Sequence, residues 1–210
     1  MNYTIEPWAD KVLDPEFMSI VDKQAEVAME IIGKANIKSF PEWERYYVLY
    51  SAIKQIKSIE GNFVQCGVHN GEQSFFIASN AKSTVYLFDS FEGITNVGEF
   101  DNEFYKEHTF KPNREIFDKN ISTFENVSVN SLAELDKVEK ISLLYVDLST
   151  YEPTKNVLEN LFYKIVDGGI LMVDTHDNYS TGAVKAVQDL AASIGRDIQT
   201  LPAGILVITR

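Results

Sequence analysis

Cysteine is nearly missing: Cys66 is the only one in 210 residues. One thiol excludes an internal disulfide framework and a Cys-rich zinc module, and it fits a reducing, cytoplasmic compartment. Basic residues are also scarce, 19 Lys and Arg against 31 Asp and Glu, giving a formal net charge of −12. Phosphate backbones and anionic membranes are held by clustered Lys and Arg, so neither nucleic acid nor a membrane surface is expected as a partner. No apolar run approaches the roughly 18–20 residues of a membrane span. Met1 to Asp10 lacks a basic segment followed by an apolar one, so no signal peptide is expected. The Asn-x-Ser/Thr triplets at Asn2, Asn120, Asn126 and Asn178 are then expected to be chance. No repeat, low-complexity tract or Pro/Gly/Ser-rich linker divides the chain. Residues 1–210 are therefore one domain, able to bury roughly 70% of its unfolded surface without a metal or disulfide.

What is present is an alternation of helices with short apolar strands. Pro15 to Ala35 and Pro41 to Ile59 are expected helices, the second with Trp43, Tyr46, Tyr47, Tyr50, Ile53 and Ile56 at spacings of three and four. Phe63 to Val68 is a short apolar strand ending in glycine, and Glu72 to Ala81 the helix after it. Val85 to Asp89, Val127 to Val129, Ile141 to Asp147 and Ile170 to Asp174 continue the strands. Glu152 to Ile165 is an amphipathic helix stopped by Asp167-Gly168-Gly169. Thr181 to Ile194 is helical, and Ile198 to Leu201 and Ile205 to Thr209 form a hairpin around Pro202-Ala203-Gly204.

Continuous apolar strands between helices predict an α/β, Rossmann-like, mostly parallel sheet covered on both faces. Ligands bind outside the carboxyl ends of such strands. Those ends carry Gly67, Asp89, Asp147 and Asp174. The loop Gly67-Val68-His69-Asn70-Gly71 offers positive φ and close backbone approach at a helix start. A tight turn without a ligand is the structural alternative. Asp89 lies 22 positions after Gly67, near the ~20-residue spacing at which a carboxylate accepts from the two hydroxyls of a ribose. Its alternative is a turn cap. The loop has no middle glycine, which disfavours a pyrophosphate and hence NAD or FAD.

Gly61-Asn62-Phe63-Val64-Gln65-Cys66-Gly67-Val68 and Leu87-Phe88-Asp89-Ser90-Phe91-Glu92-Gly93 resemble the macrocin O-methyltransferase (TylF-like) family of class I S-adenosylmethionine (SAM) enzymes. Asp147-Leu148-Ser149-Thr150-Tyr151-Glu152-Pro153-Thr154, Gly168-Gly169 and Val173-Asp174 resemble it too, and the likeness runs from about Trp43 to Arg210. The resemblance implies a seven-stranded sheet with a C-terminal β-hairpin, and SAM as cofactor. It implies SAM contacts from Gln65, Gly67, His69, Gly71, Ser74, Asp89, Ser90, Asn130, Ser131 and Asp147. Gly67 and Gly71 would lie by the methionine, Asp89 on the ribose, and Asn130 and Ser131 near the adenine. Gln65 stands where the family usually has Glu, so it lacks the charge that complements an ammonium.

The family also implies a divalent metal that holds the acceptor's vicinal hydroxyls and lowers the pKa of one of them. Asp147 and Asp174 fall on the matching strand ends, Asp177 is a third carboxylate within reach, and magnesium suits such oxygen ligands. Ser149 and Thr175 stand where relatives carry further acids. His176, at the sheet edge, has the residue type of a general base with Asp174 beside it. His69 and His108 are weaker candidates. The Glu92–Asn120 insertion holds Phe100, Phe104, Tyr105, His108, Phe110 and Phe117, and a stretch this long reads either as a lid over the acceptor or as a helical excursion packed on the sheet. The N-terminal helices of residues 1–60 offer a second lid or a homodimer surface. The expected activity is methylation of a sugar or glycoside hydroxyl, with a small-molecule acceptor. The alternatives are a SAM-binding, non-catalytic partner with a degraded metal site, and a nucleotide-dependent enzyme on a similar sheet.

Overall fold

The computed structural model describes residues 15, 16, 19, 40–176 and 179–210. Most of the expected Pro15–Ala35 helix, and Asp177 with it, lie outside the described residues. Among the described residues the α-helices include α1 (Phe40–Ile56), α2 (Glu72–Asn80), α3 (Arg114–Ile121), α4 (Tyr151–Leu161) and α5 (Thr181–Ile194). Seven strands are β1 (Asn62–Cys66), β2 (Val85–Phe88), β3 (Val127–Asn130), β4 (Ile141–Val146), β5 (Ile165–Asp174), β6 (Gln199–Leu201) and β7 (Ile205–Thr209).

The strands form one sheet in the order β3-β2-β1-β4-β5-β7-β6. β1 to β5 run parallel, while β7 pairs antiparallel with β5 and with β6. Strand order reverses between β1 and β4, and a crevice opens at that point outside the carboxyl ends. Two apolar layers cover the sheet. On one face α1 and α2 bury Tyr46, Leu49, Tyr50 and Phe76 against Leu143, Tyr145 and Met172. On the other α4 and α5 bury Val157, Leu161, Ala186 and Val187 against Val64, Leu144, Val146 and Leu171. Alternate residues of β4 thus serve opposite layers, as period-two geometry requires. α1 is more deeply enclosed than its expected stripe, since Val48, Leu49 and Ala52 are buried as well.

One boundary differs from expectation. α4 ends at Leu161, a short turn spans Phe162–Lys164, and β5 begins at Ile165, so Gly168-Gly169 lies inside the strand. Gly168 takes φ +80°, and a Cβ on Gly169 would stand 2.8 Å from Ile165 Cγ2. The β4–β5 register shifts between Ile141 and Leu143. The glycine pair therefore makes an irregularity in a long strand, where a helix stop was expected.

The insertion carries α3, whose N-cap Asn113 accepts from the Glu115 and Ile116 backbone N–H groups. Phe117 from α3 is fully buried, edge-on to Phe91 at 5.1 Å. The rest is fastened over the carboxyl edge. Thr150 Oγ1 donates to Thr95 O, the Tyr151 N–H to Asp101 Oδ1, and Thr181 Oγ1 to Phe100 O. Tyr105 and Ser180 hydroxyls meet at 2.8 Å, and Asn120 Nδ2 donates to Asn70 O at 2.7 Å. Phe117→Ala should cost about 3–5 kcal/mol, because it empties a site ringed by both the insertion and the Gly67–Gly71 loop. Chemical denaturation checks this, and a loss below about 1 kcal/mol would show that the insertion does not belong to the core.

Candidate functional site

The loop after β1 is built by close approach. Gly67 takes φ +85°, and a Cβ there would lie 2.1 Å from the Asp147 carbonyl oxygen, so only glycine lets β1 and β4 end side by side. Gln65 lies under the loop, fully buried. Its Nε2 donates to Gly67 O at 3.0 Å and its Oε1 accepts from Ser74 Oγ at 2.8 Å. This position needs one donor and one acceptor, which an amide supplies and a carboxylate does not. Asp89 accepts from the Val68 N–H at 2.7 Å through Oδ2 and from the Phe91 N–H at 2.7 Å through Oδ1. Both readings of Asp89 meet here: it caps the two turns and it lines the cleft.

That cleft has a volume of about 820 Å³. Gly67, His69, Asp89 and Ser90 line it together with Asp147 and His176, and so do Phe104, Tyr105 and Phe110 of the insertion and Tyr179. Phe104, Phe110 and Tyr179 are each more than half exposed, an unusual density of open rings for one surface. Among the sequence-predicted residues, Gln65, Gly71, Ser74, Asn130, Ser131 and Asp174 do not line the cleft. Gly71, at φ +88°, packs against Phe117. Asn130 turns its amide back to Ser128 O, and Ser131 closes a capping box with Glu134. Leu132 takes the place beside them on the wall.

The chemistry concentrates where β4 and β5 end. Asp174 is fully buried, and its carboxylate is densely bound. Oδ2 accepts from Arg45 Nε at 2.5 Å and from Tyr145 OH at 2.9 Å, while Oδ1 accepts from the His176 N–H at 2.9 Å. His176 takes a left-handed φ of +47°, a conformation that needs such an anchor. Its Nε2 then meets Asp147 Oδ1 at 2.8 Å, with 40% of the side chain open to solvent. Asp147 draws the imidazole up to about 9, against the opposing effect of burial. Burial works to raise Asp147, and His176 outweighs it, leaving that carboxyl below its ordinary value. Burial, with Asp147 nearby, raises Asp174. Burial opposes the Arg45 charge, but Asp174 prevails and raises it.

Sequence reasoning missed Arg45 and Tyr145. Arg45 is the only cation between Lys38 and Lys54, set in an aromatic helical stripe. That isolated charge on a buried face was the available signal. Tyr145 sits in an apolar strand and carried none.

Asp147, Asp174 and His176 each offer one donor atom, all within 4.8 Å of one another. Magnesium asks for oxygen donors near octahedral geometry, and one of these three is an imidazole nitrogen. The guanidinium already held by Asp174 opposes a cation: like unit charges at about 4 Å cost roughly 4 kcal/mol at an effective dielectric near 20, and a divalent ion doubles this. Thr175 is buried and donates Oγ1 to Gly204 O at 2.5 Å, so it is committed to the hairpin turn. Among the described residues the donor set does not fit magnesium. SAM is different, since the glycine turn, the Asp89 carboxylate and the open cleft suit a ribose-bearing ligand.

The raised His176 value has a consequence for stability. Its contribution is complete below the unfolded value of 6.5 and is lost as pH rises through about 9. Unfolding free energy should therefore fall across that window in the wild-type chain and stay flatter in His176→Gln. Parallel urea titrations at several pH values check it, and identical slopes would break the link to His176.

The sequence profile of the macrocin-O-methyltransferase (TylF) family matches residues 21–201. No curated protein matches in sequence. Among solved structures the fold is similar to the O-methyltransferase NovP, with TM-score 0.71 and 17% identity over 92% of this chain and 99% of that one. CalS11, a calicheamicin methyltransferase, superposes with TM-score 0.67 and 18% identity over 100% and 98%. Its apo form, described as a TDP-rhamnose 3′-O-methyltransferase, gives 0.60 and 18% over 97% and 99%. These structures share the fold, and the profile match over most of the length settles the affiliation: the chain belongs to the macrocin-O-methyltransferase (TylF) family.

Proposed function

We propose that this family member transfers a methyl group from SAM to a hydroxyl of a sugar or glycoside, with His176 as the base. SAM supplies the methyl on a sulfonium, which leaves as a neutral thioether as the new C–O bond forms. In this reading Gly67 and Asp89 hold the cofactor, with His69 and Ser90 beside them, and Gln65 and Ser74 brace the loop from beneath. Gly71 keeps the loop against α3, and Asn130 and Ser131 shape the turn that carries Leu132. The acceptor lies under Phe104, Tyr105, Phe110 and Tyr179, whose faces suit the C–H surface of a sugar or a flat aglycone. His176 takes the hydroxyl proton at Nδ1, while Asp147, which accepts from Nε2–H, steadies the imidazolium that forms.

The observation that carries the reading is the placement of the His176–Asp147 contact on the same cleft as Gly67 and Asp89. Sugar acceptors named for the CalS11 structure support the substrate class. Magnesium has no part in this reading, because the donor set described above does not suit it. No described helix is long and apolar enough to cross a membrane. Ser149 and Thr175, in place of acids, favour a second reading in which the chain binds SAM without turnover. Mass spectrometry after incubation with SAM and a panel of nucleotide sugars and aromatic glycosides separates the two.

Two variants test the roles. Asp89→Ala should weaken SAM at least tenfold by calorimetry, given about 1.5–3 kcal/mol for each hydrogen bond to a charged group. Unchanged affinity removes Asp89 from the cofactor site. His176→Ala should lower kcat by roughly 10²–10⁴-fold while SAM affinity holds. A wild-type rate in that variant would pass the proton to water or to Asp147. His176 accepts a proton only when neutral, so kcat should rise with pH and level off above about 9.

A further inference from the structure

The geometry points to Arg45 as a built-in replacement for a divalent ion: its guanidinium compensates Asp174 and fixes His176, so acceptor activation proceeds without metal. This inference rests on the proposed function for its catalytic arm alone. Two carboxylates at adjacent strand ends, one of them fully buried, require positive charge nearby. Here Arg45 supplies it to Asp174 at 2.5 Å, from a helix outside the sheet, and His176 Nε2 lies 2.8 Å from Asp147. The guanidinium of Arg45 already holds Asp174 Oδ2 and opposes a further cation beside it.

Arg45 also sets geometry. It and Tyr145 hold Asp174 Oδ2, which aims Oδ1 at the His176 backbone N–H. That hydrogen bond anchors the left-handed backbone at His176, and the ring then reaches Asp147. Arg45 touches neither reacting atom in this chain of contacts and is a positioning residue. The departures at Ser149 and Thr175 fall into place with it. Ser149 lies on the cleft wall without a carboxylate, and Thr175 turns to the hairpin.

The test uses manganese as the probe and the full chain throughout. Electron paramagnetic resonance should detect no stoichiometric Mn²⁺ bound by the wild-type protein, and methyl transfer should be unchanged after chelation. Arg45→Met, which removes the charge at similar length, should lower kcat by about 10–100-fold with SAM affinity retained, and should gain Mn²⁺ binding at the freed carboxylates. Arg45→Lys should recover part of the rate and should not bind Mn²⁺. Tight Mn²⁺ binding by the wild type, or loss of its turnover in chelator, would overturn the inference. So would a wild-type rate in Arg45→Met, or an Arg45→Lys no better than Arg45→Met. If Arg45→Met does not fold, the wild-type manganese and chelator measurements still decide. If the wild type binds SAM yet methylates nothing, the proposed function fails while the manganese comparison continues to test Arg45.

Discussion

A buried carboxylate at the end of the central strand pair governs this molecule. Asp174 has no access to water and sits close to a second acid, Asp147. Leaving such a charge uncompensated costs several kcal/mol, so the surrounding chain is arranged to meet it. Arg45 reaches it from α1, Tyr145 from β4, and the backbone of His176 from the turn beyond β5. Three separate stretches of sequence are tied at one carboxylate. Its partners also decide where the imidazole stands, and the imidazole is the group proposed above as the base. Stability and chemistry meet in the same hydrogen bonds.

The sheet explains why the knot lies beside the cofactor loop. Parallel pairing of β1 with β4 and of β4 with β5 brings Gly67, Asp147 and Asp174 to one edge. The absence of a side chain at Gly67 lets that edge close to van der Waals distance. The insertion is pinned across the opening by contacts to both α4 and α5. A cleft whose rim is fastened at several points suits catalysis by alignment, in which the reacting groups are held in place.

The strands, the parallel sheet and the row of acids and glycines were legible in the sequence because they follow from local pattern. Continuous apolar runs and strand-terminal Asp residues need no long-range information. Asp89 could be placed on the edge, but its capping of Val68 and Phe91 depends on how two loops meet. Gln65 looked like a loss of charge, and the structure gives it a positive reason, a donor toward Gly67 and an acceptor toward Ser74. Gly168-Gly169 looked like a helix stop and instead serves a crowded strand irregularity, a tertiary constraint invisible to propensity. Arg45 was hidden for the same reason. It lies 129 positions from Asp174, and helical periodicity reports which face is buried without reporting what a charge on that face will find.

The central claim is that His176 stands as an imidazolium between the strand-end carboxylates of the ligand-free protein. The chain has three histidines, His69, His108 and His176, so side-chain nitrogen resonances can be assigned by single substitutions. A nuclear magnetic resonance pH titration of the imidazoles measures the claim directly. The account predicts that His176 titrates near 9 and keeps both ring protons at neutral pH. A His176 midpoint at the ordinary 6.5 would contradict it, because the carboxylates would then be compensated by something other than this ring.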